Sequence, residues 1–181
     1  LIVAFLCMAT PVFAAEINLD ANKSEINSDE QFLVDITINS EESINAVEGR
    51  LVFPVDKLLV KEIRDGNSVI NFWVERPRLE TSGVVVFSGI TPGGFSGINN
   101  SIFSVVFEAK NTGVASIVLQ ATKALLNDGL GTTTTLSVRD ATVSIKPGDS
   151  NVRQEILIDT ELPEDFTPII VSDPIFFDGK N

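Results

Sequence analysis

Carboxylates are the only side chains through which this sequence could do acid–base chemistry, because it contains no His, no Tyr and a single Cys. Without His, no ordinary Ser-His-Asp or Cys-His nucleophile and no imidazole metal site can be built. A hydrolytic pair of carboxylates must converge across a cleft. Asp29-Glu30 and Glu41-Glu42 stand among turn residues and read as solvated charge. Asp56 follows the Phe53-Pro54 corner and Glu75 lies just beyond the lone Trp73, and no spacing singles out a partner for either. The expectation is a chain with no catalytic residues, not an enzyme, and with no required cofactor. For calcium, the turns Asn127-Asp128-Gly129 and Asp149-Ser150-Asn151 offer oxygen ligands. Neither follows the EF-hand loop pattern, and plain turns are the simpler reading.

Phe72 and Trp73 are the place where an aromatic platform for sugar rings could form, with Trp73 the candidate ligand-facing aromatic. The competing reading is that strand alternation buries one of the two and leaves the other partly exposed. Gly93-Gly94-Phe95-Ser96-Gly97 follows a strand but opens no helix, so it reads as a flexible connection rather than a phosphate cradle. Asn22-Lys23-Ser24 and Asn99-Asn100-Ser101 match the glycosylation sequon, a short pattern that recurs by chance. The formal net charge of −12 repels phosphate backbones, which argues against nucleic-acid binding.

The elements that would position these residues begin after an apolar leader. Residues 1–15 read LIVAFLCMATPVFAA, without a charge and ending in small residues. Val12-Phe13-Ala14 fits the cleavage pattern of a secretory signal peptide, so residues 1–14 are expected to be a signal, truncated at its start and cut after Ala14. Cys7 as a lipid acceptor is the lesser alternative, because the apolar run continues past it. After that cleavage no Cys remains, and stability must come from a packed apolar core. No later run approaches a membrane span, so an anchor, where there is one, is expected beyond Asn181.

From Glu16 to Ile145 the pattern is β. Phe32, Val34, Ile36 and Ile38 alternate with Asp35, Thr37 and Asn39, while Val47, Leu51 and Phe53 oppose Glu48 and Arg50. Strands are expected at 17–21, 31–40, 46–53, 58–64, 69–74, 83–88, 102–109, 115–122, 136–139 and 141–146, separated by Gly-, Asn-, Asp- and Pro-bearing turns. Residues 121–126 are expected to continue a strand rather than start a helix. This spacing predicts an all-β sandwich or jelly roll over residues 15–146. Residues 147–168 are acidic and broken by Pro163 and Pro168, and read as a linker. Residues 169–181 regain apolar character, as the start of a further module or a disordered tail.

Three segments in fixed order carry a family resemblance. Val47-Glu48-Gly49-Arg50-Leu51-Val52-Phe53 leads through Pro54-Val55-Asp56 to Leu58-Leu59-Val60, with Asp65-Gly66 after it. Gly83-Val84-Val85-Val86-Phe87 follows. Ile102-Phe103-Ser104-Val105-Val106-Phe107-Glu108-Ala109-Lys110 comes last, with Gly113 and Ile117 beyond. This order resembles the cohesin domain, in the β-sandwich superfamily that also holds carbohydrate-binding modules. At the corner, Phe-Pro-Val-Asp stands where cohesins carry a Tyr-Asp-Pro-like sequence. The resemblance implies a nine-stranded antiparallel jelly-roll sandwich that binds a dockerin-like module through one sheet face. It carries no individual contact residue across.

The expected function is therefore non-catalytic binding on a secreted or cell-surface protein, linked to polysaccharide degradation. The contact surface would be built from the outward polar residues of alternating strands. A carbohydrate-binding module, with polysaccharide as the ligand, and a structural spacer of a surface protein are the alternatives.

Overall fold

A computed structural model describes residues 15–148 of the chain. The expected signal at 1–14, most of the expected linker at 147–168, the segment 169–181 and the Asp149-Ser150-Asn151 turn lie outside the described residues.

Alternation resolves into nine strands, with no helix among the described residues: β1 (Ala15–Ala21), β2 (Glu25–Asn27), β3 (Gln31–Val52), β4 (Leu58–Arg64), β5 (Phe72–Thr81), β6 (Val84–Ala109), β7 (Gly113–Leu126), β8 (Leu136–Arg139) and β9 (Ala141–Lys146). The first half of β3 pairs with β1 and with the second half of β6, and β8 and β4 extend this layer on either side. The second half of β3 pairs with the first half of β6 and with the end of β7, and β5 borders β6. The start of β7 pairs with β9, and β9 with β2. Pairing is antiparallel except between β1 and β8 and between β2 and β9, which run parallel.

Inward residues of the two layers meet in one apolar core. Phe87 and Phe103, from opposite halves of β6, pack at a tilt of 58° with ring centroids 4.9 Å apart. Phe107 takes Phe53 edge-on at 5.0 Å and Phe32 face-on at 5.7 Å. Burying side chains of this size supplies the drive to fold without disulfides.

Strands expected as separate segments are fused. Residues 31–40 and 46–53 belong to one strand, β3, and 83–88 and 102–109 to another, β6. Both strands turn from one layer into the other while staying paired, Ser40 opposite Gly97 and Ile44 opposite Phe95. The expected flexible connection at 93–97 is this corner. Gly93, Gly94 and Gly97 adopt positive φ there. A Cβ on Gly94 would strike Ser43 Oγ and Asn127. The corner is tied down by Asn127, whose Nδ2 donates to the Gly93 carbonyl at 2.9 Å and whose N–H donates to the Ser43 carbonyl at 2.8 Å. β5 runs over 72–81 rather than 69–74, and β2 was not foreseen. Residues 121–126 do continue a strand, with Ala121 at φ 49° in a bulge of β7.

Candidate binding face

The sheet made by β5, the first half of β6, the second half of β3 and the end of β7 carries the most ordered set of outward side chains. Val47, Leu51, Val85 and Phe87 point into the core. Their alternates face out and line up across the strands. Arg78, Val86, Arg50 and Gln120 form one row, in which Val86 is only 4% exposed. Glu75, Ser88, Glu48 and Lys123 form the next, followed by Phe72, Ile90, Ala46 and Leu125. On the other side of the charged rows stand Val84, Val52 and Val118. The face is thus a charged band with apolar borders.

The charges are matched in place. Arg50 pairs with Glu80 and Arg78 with Glu75, and Lys123 Nζ donates to Glu48 Oε1 at 3.0 Å. A chain of net charge −12 thus balances three acids with three bases on this face. Each pair is partly exposed and contributes ~0–1 kcal/mol to stability. Exposed pairs of this kind are instead available for re-pairing with a partner, which sets orientation and association rate. Phe72 is 59% exposed and Ile90 37%, so apolar area lies ready at the border. Relief is slight. Depressions of about 280 Å³ beside Lys123 and Leu125, and about 200 Å³ beside Arg50 and Glu75, are smaller than the cavities that enclose a small-molecule substrate.

The sheet depends on one tight approach. Gly89 lies opposite Trp73, and a Cβ there would stand 2.3 Å from Ile70 Cγ2 and 2.8 Å from Trp73 Cε3. Trp73 therefore packs toward the core, against the residue directly across the sheet, and Phe72 is the solvent-facing aromatic of β5.

The other residues singled out for chemistry are scattered. Glu41 and Glu42 stand exposed at the corner, Asp29-Glu30 makes a turn, and Asp56 is exposed beside Pro54. Asp128 is engaged within its own turn: hydrogen bonds from the Thr132 hydroxyl and the Leu130 N–H hold its carboxyl below the usual carboxylate range. Among the described residues no three His, Cys, Asp or Glu side chains group as a metal cluster.

Solved structures place this geometry. A cohesin module from a Clostridium perfringens family 33 glycoside hydrolase superposes with a TM-score of 0.63 at 15% identity, over 76% of this chain and all of that one. This domain has the cohesin fold. A non-cellulosomal cohesin from the archaeon Archaeoglobus fulgidus matches at TM-score 0.61 and 17% identity, covering 78% of this chain and 98% of its own. The cohesin of a type I cohesin–dockerin complex from Clostridium thermocellum matches at 0.62 and 9%, over 77% and 98%. No family model and no curated protein matches the sequence. At the corner where the cohesin pattern has Tyr-Asp-Pro, Phe53 is 6% exposed and remains a core anchor. The Pro54 carbonyl accepts from both Lys57 and Leu58 N–H, at 3.1 and 2.9 Å, and closes the turn. Sequence reasoning had put Glu48 and Arg50 on the polar side of their strand. It did not join them to Glu75, Arg78, Glu80 and Lys123, whose place depends on register between strands distant in the chain.

Proposed function

We propose that this domain is a non-catalytic protein-recognition module that binds a dockerin-type partner through the outer face of the β5–β6–β3–β7 sheet. The observation that carries this reading is a flat, charge-balanced band with apolar borders on a domain of cohesin fold. Docking would bury Phe72 and Ile90 and exchange the exposed ion pairs for pairs across the interface. The dockerin class of partner is supported by matched structures that are cohesin–dockerin complexes, one with a cohesin from Clostridium acetobutylicum and others from Acetivibrio cellulolyticus and Clostridium thermocellum. A secreted or cell-surface setting, with a role in polysaccharide breakdown, goes with that partner. A non-enzymatic role fits a face whose acids are each held by a base.

The test is surface plasmon resonance of the immobilised chain against a panel of dockerins, paired with electrophoresis in polysaccharide gels. Saturable binding of at least one dockerin below about 1 µM is expected, with no retardation by glycan. A folded chain that binds no dockerin but is retarded by polysaccharide would overturn the proposal. Phe72, not the core-packed Trp73, would then be the aromatic to substitute.

A further inference from the structure

The opposite outer face, carried by β8, β1, the first half of β3, the second half of β6 and β4, leaves something unresolved. A groove of about 830 Å³ crosses it, lined among others by Asp20, Asp35, Thr37, Ser101 and Ser104. Ile17 and Leu19 point into the core, at 0% and 3% exposure, so Asn18 and Asp20 share the outward side of β1. Val34, Ile36 and Ile38 are likewise fully buried, so Asp35 and Thr37 share the outward side of β3. Register sets Asn18 opposite Thr37 and Asp20 opposite Asp35. Four oxygen-bearing side chains thus form a two-by-two array.

Two independent features of this array are unfavourable as they stand. Asn18 is only 7% exposed, and its Oδ1 and the Thr37 Oγ1 are both buried without a hydrogen-bond partner. Buried oxygens are seldom left so, because each forfeits its hydrogen bonds to water. Beside them, two carboxylates face each other directly, a pairing that destabilises a sheet. Neither joins an ion pair with a described residue. The nearby bases are engaged elsewhere: Arg64 by Glu62, Arg139 by Glu16 and Lys23 by Glu30. Asp35 Oδ1 accepts one hydrogen bond, from Ser104 Oγ at 2.6 Å.

One ligand would relieve both features. Its donor atoms would be a pair of carboxylates, an amide oxygen and a hydroxyl, with no nitrogen or sulfur. That is the donor chemistry of a hard divalent cation, and a shell of mixed side-chain oxygens and water suits the flexible coordination of calcium better than the strict octahedron of magnesium. We propose that Asn18, Asp20, Asp35 and Thr37 form a calcium-type cation site that clamps β1 to β3, with water from the groove completing the shell. The site lies on the opposite sheet from the proposed partner face and stands or falls separately from it.

Calcium titration of the metal-free full chain by isothermal calorimetry, with thermal unfolding alongside, tests this. One saturable site with Kd of about 0.1–1 mM is expected, as in extracellular calcium modules. The melting temperature should rise by about 3–11 °C at about 10 mM CaCl2, according to where Kd falls in that range. Asp20→Asn and Asp35→Asn should each weaken calcium binding about tenfold or more, while Asp128→Asn leaves it unchanged. In the absence of metal both array variants should melt no lower than the parent, because one of two opposed charges is gone, so loss of the response is not loss of the fold. No saturable heat and no calcium-dependent melting shift in the parent would overturn the site. So would a response that survives in the exposed Asp20→Asn variant.

Discussion

The two outer faces of the sandwich handle charge in opposite ways. On the β5–β6–β3–β7 face, Glu48, Glu75 and Glu80 each meet a base, so the surface is electrically settled and its apolar borders are left for a partner. On the β1–β3–β6 face, Asp20 and Asp35 confront each other, and the Asn18 and Thr37 oxygens have no partner at all. The same two long strands build both faces. The difference therefore lies in what the outward positions carry, not in the backbone. A self-paired face can trade its ion pairs for others at small net cost, which suits reversible recognition. Two facing carboxylates with no base of their own, beside two unsatisfied oxygens, suit a cation instead.

The comparison can be broken most severely at the shared core. Phe103→Ala removes a ring that is 1% exposed and packed against Phe87, and should destabilise the domain by about 3–5 kcal/mol. In chemical denaturation both binding activities should disappear together with the fold. Retention of one face in the denatured range would mean that the layers are independent.

A milder change separates the faces. Gly89→Ala forces a methyl against Ile70 and Trp73 and should cost about 1–3 kcal/mol by displacing β5. Partner binding should weaken while the calcium-induced melting shift persists. Equal loss of both would contradict the assignment of the partner to the β5 side. Arg50→Glu should lower stability by no more than about 1 kcal/mol, because its ion pair is exposed. It removes the counter-charge of Glu80 in the middle of the contact band, so dockerin affinity should fall about tenfold or more, most visibly at low salt.

The smallest expected effect is a pH dependence on the groove side. Glu62 lines the groove, and the hydrogen bond from Arg64 holds its carboxyl below the ordinary value of 4.5. The unfolded state then binds a proton at a pH where the folded state does not. This contribution is complete above the ordinary carboxylate range and is lost as pH falls through the lowered folded value. Melting curves between pH 6 and pH 3 should therefore fall slightly less steeply in Glu62→Gln than in the parent.

Much of the fold was legible in the sequence. The limits of β4, β8 and β9 coincide with the runs at 58–64, 136–139 and 141–146. The inward and outward residues of β3 follow from alternation alone. The fused strands were not legible, because Gly93, Gly94 and Gly97 serve a corner with the same residues that would end a strand. β2 is too short for any period to register. Of the pair Phe72 and Trp73, alternation said that one is buried, and only the contact of Trp73 with Gly89 says which. Both candidate surfaces depended on register: Glu48 meets Lys123, and Asp20 meets Asp35, across strands whose alignment no local pattern encodes.

That alignment has a kinetic side. Gln31 pairs with Glu108 at one end of the β3–β6 ladder, and Val52 with Val84 at the other, so each bent strand holds one layer to the next. The loop between Gln31 and Glu108 must close before their half of the ladder can form, and a barrier dominated by such closure makes folding slow. Because neither layer can zip without the two strands that cross into the other, both faces should emerge in a single step, and amide protons on β3 and β6 should exchange last and together.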